Sequence, residues 1–169
     1  MRAKMLRISV LLGLPLLAAV GCTPGERKPP AGTTPEAEKS ERKVQVVEEF
    51  WPDGKLRLRQ EVLKAPDGAL INDGRYTSWF DNGNKEYEAT YVDGKLEGVA
   101  TAWHRNGKRW TEEHYQHGVR HGTRLNWDEK GRLRGEEHYY EGKSDGTWTI
   151  WKPDGTVEWQ GHFNRGQPE

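Results

Sequence analysis

Two sets of residues have types and spacing that could do chemistry. His114, His117 and His121 follow one another at ligand-like intervals, and His138 and His162 repeat His114 at steps of 24 residues. Imidazoles so spaced can hold a transition metal. Glu88, Glu112 and Glu136 form a second column at that step, with Gln160 in its last place. Paired carboxylates can act as general acid and base. Neither set completes a site. If the columns lie in a sheet and recur every second strand, their members stand roughly 9.6 Å apart, too far to share one ion. His117 and His121 fall between strands, and no second cysteine or Asp–His cluster completes a coordination shell. The glutamates read as a solvated face with cross-strand ion pairs to nearby Lys and Arg. No Ser-His-Asp order, phosphate loop or nucleotide fingerprint is present. The expectation is a protein that is not an enzyme, with no metal and no other cofactor.

The columns themselves carry more information than the chemistry. Trp79, Trp103, Trp127 and Trp151 stand 24 residues apart, and Gly83, Gly107, Gly131 and Gly155 follow in step. Tyr91, Tyr115, Tyr139 and Phe163 form another column, and Gly94, Gly118, Gly142 and Gly166 trail it by three. Gly74, Gly98, Gly122 and Gly146 open each unit. A fixed period of this length marks a repeat array, whose extended surface usually binds something. Each unit reads as a β-hairpin. Thr123, Leu125 and Trp127 alternate with Arg124 and Asn126, and Asp128-Glu129-Lys130-Gly131 then reads as a four-residue turn. Phe50-Trp51-Pro52-Asp53-Gly54 is a degenerate first copy, followed by a longer loop at Lys64-Ala65-Pro66-Asp67-Gly68. The predicted fold is all-β: an elongated antiparallel meander of about ten strands over 44–169. Its first unit is 44–73, and regular units start near 74, 98, 122 and 146. The Trp and Tyr columns are expected to interleave in one aromatic row that forms the core. By parity, Trp110 and Trp148 lie on the opposite face with Tyr76 and Ile150, and these are the candidate binding residues.

The N-terminus has a different character. Arg2, Lys4 and Arg7 precede an apolar run from Ile8 to Val20, which reads as an export signal over 1–21. The single cysteine, Cys22, follows at once. A lone exported thiol calls for a role other than an internal disulfide. Residues 22–43, rich in Pro, Gly, Thr, Glu and Lys, read as a disordered tether. The whole chain carries 26 basic and 26 acidic residues, and losing the leader removes three bases and no acid. The remainder is slightly acidic and offers no basis for nucleic-acid binding.

Two resemblances follow from these residues. Leu17-Ala18-Ala19-Val20-Gly21-Cys22 resembles the lipobox of bacterial lipoproteins, with Ala19 where that box prefers Leu. It implies lipid attachment at Cys22, so that acyl chains hold the protein on the membrane. Thr23 stands where Asp can signal retention at the inner membrane, so in a didermal bacterium the resemblance implies the outer membrane. Tyr91-Val92-Asp93-Gly94-Lys95-Leu96-Glu97-Gly98, with Tyr115 to Gly122 and Tyr139 to Gly146, resembles MORN-type repeats, in particular a bacterial variant grouped with antitoxin-like proteins. That resemblance covers about 74–169 and the copy from Phe50. It implies a scaffold that contacts proteins or lipids, with Trp79, Trp103, Trp127, Trp151, Tyr91, Tyr115, Tyr139 and Phe163 in structural roles.

The combined expectation is a membrane-anchored lipoprotein of the cell envelope acting as a binding scaffold for a protein or envelope partner. Two rival readings are a cell-wall glycan-binding repeat protein and an antitoxin-like protein that neutralises a toxin. The open edges of such a sheet also allow self-association through an edge strand.

Overall fold

The structure is a computed structural model that describes residues 6–10 and 44–169. Cys22, the tether read over 22–43 and most of the leader lie outside the described residues. Among the described residues thirteen strands form one antiparallel sheet. They are β1 (Leu6–Val10), β2 (Val44–Phe50), β3 (Leu56–Lys64), β4 (Leu70–Trp79), β5 (Lys85–Val92), β6 (Lys95–Trp103) and β7 (Arg109–Gln116). There follow β8 (Val119–Trp127), β9 (Leu133–Tyr140), β10 (Lys143–Ser144), β11 (Gly146–Trp151), β12 (Val157–Asn164) and β13 (Gln167–Pro168). Twelve run side by side in chain order, and β10 pairs with β9 off that path. The expected meander corresponds to five hairpins, namely β2/β3, β4/β5, β6/β7, β8/β9 and β11/β12. The additional strands are two-residue pieces, β10 and β13, and β1, which lies within the segment read as a leader and pairs with the outer edge of β2.

Turn chemistry sets the hairpin geometry. Along one edge of the sheet, Gly54, Gly83, Gly107, Gly131 and Gly155 each donate from the amide to the carbonyl three residues back. The amide of Gly83 reaches Phe80 O at 2.9 Å, and Gly54 repeats this with Trp51 O at 2.9 Å, so the degenerate copy folds like the regular ones. Along the other edge the β3–β4 connection is the expected longer turn, closed by the Gly68 amide on Ala65 O at 2.9 Å, and the turns after it are tight. Asp93 and Gly94 both take positive φ, 48° and 78°, as a two-residue turn matched to the twist of its strands requires. His117-Gly118, Glu141-Gly142 and Arg165-Gly166 repeat it.

Side chains then tie each long turn to the next. Asn82 Nδ2 donates to Arg105 O at 2.8 Å, Asn106 Nδ2 to Glu129 O at 2.7 Å, and Arg132 Nη1 to Pro153 O at 2.9 Å. These bonds occupy turn carbonyls that lie outside the strand ladder.

Next to every long turn the ladder carries a bulge. Ala102 pairs with Thr111 and Trp103 with Arg109, which leaves Trp110 unpaired. The same shift leaves out Arg57, Glu86, Arg134 and Glu158 in the other hairpins. A bulge breaks the alternation of side chains by one residue.

The expected interleaving of Trp and Tyr columns does not occur. Trp79 pairs with Lys85 at the long-turn edge, whereas Tyr91 pairs with Gly74 near the tight-turn edge. In a meander the ends of successive strands lie at opposite edges, so the two columns are a strand's length apart. They also differ in face. Nor do the aromatics form the most buried core: Val46, Val47, Val62, Ala89 and Ala100 do, while the column rings are half-buried. A single sheet has no second layer under which a large ring could be enclosed, so only small or branched residues between neighbouring strands lose nearly all their contact with water.

Candidate binding face

Register assigns each side chain to a face, because directly opposed residues in an antiparallel pair share one. On the first face, Tyr76 opposes Ala89, Tyr87 opposes Ala102, Ala100 opposes Glu113, Glu113 opposes Arg124, and Arg124 opposes Glu137. The row continues through Gly135 and Ile150, then Trp148 opposite Gly161. On the second face, Thr77, Glu88, Thr101, Glu112, Leu125, Glu136, Thr149 and Gln160 form one line across eight strands.

The first face has three zones. At its N-terminal end Tyr76 packs edge-on against Tyr87 at 5.9 Å and Tyr91 at 6.0 Å. Burial pushes all three phenols above their ordinary pKa. At the C-terminal end Trp148 lies 5.4 Å from Tyr139 and 4.8 Å from Phe163, and Trp159 lies 6.2 Å from Phe163. Ring pairs of this kind are each worth roughly 0.5–1.5 kcal/mol beyond area burial. Trp159 and Ile150 nevertheless keep 43% and 42% of their surface exposed.

Between the aromatic zones lies an ionic network. Glu113 accepts from Tyr115 Oη at 2.6 Å, Arg120 Nε at 2.9 Å and Arg124 Nε at 3.0 Å. Arg124 Nη1 donates to Glu137 Oε1 at 2.7 Å, and Tyr139 Oη donates to Glu137 Oε2 at 2.7 Å. Burial alone would raise the Glu113 pKa, but the donors from Tyr115, Arg124 and Arg120 outweigh it and hold the carboxyl below its ordinary value. Burial and the bond to Glu137 push Tyr139 up to about 12. Arg124 is also raised: its burial is overcome by Glu113 and Glu137. Every side chain in the network is satisfied internally, so its role is to fix the position of the rings and to present fixed charge beside them.

The sequence-derived candidates fall into separate places. Trp148 and Tyr76 lie opposite their strands' Trp column, as parity predicts, but share the first face with the Tyr column, because the two columns occupy opposite faces. Trp110 does not join them. It is the bulge residue, parity fails there, and its indole stays 52% exposed with its ring 6.0 Å from that of His104. The Trp column sits half-buried at the long-turn edge and serves in part through its backbone. Trp51 Nε1 donates to Trp79 O at 3.1 Å and Arg134 Nε to Trp151 O at 2.6 Å, and Lys85 Nζ lies 5.1 Å over the Trp103 ring.

The histidines are held apart. His114 Nδ1 meets Thr123 O at 2.8 Å, His138 Nδ1 meets Thr123 Oγ1 at 3.3 Å, and His162 Nδ1 meets Thr147 Oγ1 at 3.2 Å. Among the described residues no group of three His, Cys, Asp or Glu is placed to hold a metal ion. The glutamate column is paired within strands: Lys85 Nζ with Glu88 at 3.0 Å and Arg109 Nη1 with Glu112 at 2.9 Å. The expected cross-strand pairs give way because each bulge turns Lys85 or Arg109 onto its own glutamate's face.

Sequence reasoning missed the ionic network and Trp159. The available signal was Glu-His-Tyr at 113–115 and again at 137–139, which puts a carboxylate and a phenol two apart on one face in successive repeats.

A sheet of this kind, built of tied hairpins with one aromatic and ionic face, is a β-repeat array. Residues 72–93 and 96–117 each match the family model described as MORN repeat variant. These segments fall on β4/β5 and β6/β7. No curated protein sequence matches the chain.

Proposed function

We propose that the protein is a non-enzymatic binding scaffold of the cell envelope, exported and lipid-anchored through Cys22, that holds a protein or envelope partner on the first face of its repeat sheet. The observation that carries this reading is the C-terminal zone of that face. Half-exposed Trp159 and Ile150 surround Trp148 and Phe163, and the Glu113–Arg124–Glu137 network lies beside them. Aromatic anchors next to fixed charge are what binding hot spots are made of. The MORN-type repeats favour a surface for recognition over a pocket for chemistry. The apolar run ending at Cys22 supports the anchor.

A photo-crosslinking residue placed at Ile150 in living cells tests the face, with the same residue at Thr147, three positions earlier and on the second face, as control. Partner adducts at Ile150 and none at Thr147 support the reading; equal labelling, or none at either position, overturns it. Cys22→Ser tests the anchor separately. The variant should leave the membrane fraction, and its retention there would exclude lipid attachment.

A further inference from the structure

The outer edge of β2 carries a strand taken from the segment read as a leader. The five residues Leu6–Val10 pair antiparallel with Gln45–Glu49: Leu6 opposite Glu49, Arg7 opposite Glu48, Ile8 opposite Val47, Ser9 opposite Val46 and Val10 opposite Gln45. With that strand alongside, Val46 and Val47 are only 3% exposed. Removal of the leader at Cys22 takes β1 away and leaves a long, apolar edge with a row of unpaired backbone groups. Such an edge is a template for another strand.

We propose that the β2 edge of the exported protein takes an extended segment of a partner protein as an added antiparallel strand. The segment is apolar at alternate positions and basic opposite Glu48. This inference rests on the proposed export and leader removal, and it names a mode of partner binding in addition to the first face. Charge decides the chemistry of the occupant. Glu48 and Glu49 stand next to each other on β2, and the guanidinium nitrogens of Arg59 and Arg57 on the neighbouring strand lie 3.9 and 3.7 Å from them. Both distances are too long for a hydrogen bond. The strand seated there in the structure places a basic residue, Arg7, at the position opposite Glu48. A second copy would do the reverse. Val44–Phe50 contains two glutamates and no base, so pairing it with itself brings four carboxylates into one seam.

The test uses the chain without residues 1–21 and with Cys22→Ser, and a labelled synthetic peptide of residues 4–12 as the probe. Fluorescence anisotropy should report saturable one-to-one binding. A peptide with Arg7→Glu should bind at least about tenfold more weakly, and one with Ser9→Pro, which removes the ladder donor opposite Val46, should not bind. Glu48→Lys in the protein should restore binding of the Arg7→Glu peptide, a gain that misfolding cannot produce. Absence of saturable binding, or equal binding of all three peptides, overturns the proposal. So does a dimer that the peptide fails to dissociate, which would assign the edge to a second copy. The intact mass of the exported protein reports leader removal independently: a mass that retains residues 1–21 sinks the export reading, and the peptide result still decides what the edge accepts.

Discussion

Glu113→Gln is the sharpest perturbation of the first face. The carboxylate takes three donors within 3.0 Å, from Tyr115, Arg120 and Arg124, and its side chain is 14% exposed. Glutamine keeps the shape but loses the charge and one acceptor oxygen, and its NH₂ group is turned toward guanidinium donors. Hydrogen bonds to a charged group are worth roughly 1.5–3 kcal/mol each in net terms, and residual solvent access reduces what their loss costs, so the expected destabilisation is about 2 kcal/mol. For a folded region of this size that lowers Tm by roughly 6–8 °C. The pH dependence follows from the depressed pKa. A carboxylate whose folded pKa lies below its unfolded value stabilises the protein fully above the unfolded value, and loses that contribution as pH falls through the folded one. The gap between parent and variant should therefore be full at pH 7 and shrink below pH 4.5, the ordinary value. Thermal unfolding followed by circular dichroism at pH 7 and pH 3 measures both. A variant that melts within about 1 °C of the parent at pH 7, or a gap that persists unchanged in acid, would refute the reasoning.

Three further outcomes are expected. Tyr139, held up to about 12, should titrate later than an ordinary tyrosine. As a group with a raised folded pKa, it adds stability that is complete below pH 10 and lost as pH rises through about 12; absorbance at alkaline pH, compared with Tyr139→Phe, checks this, and loss of a phenol titrating near 10 would contradict it. Gly122→Ala should cost about 1–2 kcal/mol, because φ is +99°, a backbone conformation that a side chain strains, although the new Cβ would meet His114 Cβ only in ordinary contact at 3.4 Å; an unchanged denaturant midpoint would be incompatible with that backbone. Asn106→Ala removes the donation to Glu129 O and the acceptance from Lys108 N. It should lower stability by about 1 kcal/mol, and a neutral result would show that water replaces the tie between turns.

The hairpins were legible because local chemistry dictates them. Asn82-Gly83 and Asp93-Gly94 supply the backbone that each turn needs, and the strands between them alternate. The period then stacks the hairpins without reference to any distant contact. What parity could not reveal was where parity stops. The bulge at Trp110, and its counterparts at Glu86, Arg134 and Glu158, depend on how a four-residue turn joins strands of a given twist, and no residue type marks the extra position. That one-residue slip misplaced Trp110 and hid the Lys85–Glu88 and Arg109–Glu112 pairs. The aromatic row was misread for a different reason. Two columns with equal periods can sit at opposite edges, and period alone carries no information about position along a strand. The first face was half legible: parity groups Trp148, Tyr76 and Ile150 on one side, while Arg120, Arg124 and Glu137 read as ordinary surface charge until register brought them together.

The arrangement of rings on the two faces can be tested directly by nuclear Overhauser contacts in the chain lacking residues 1–21. Contacts from the Trp148 indole to both Tyr139 and Phe163, with none from Trp127 to Tyr139 or from Trp151 to Phe163, are the expected result. Ring contacts between the Trp and Tyr columns would contradict it, and would remove the face on which binding is proposed.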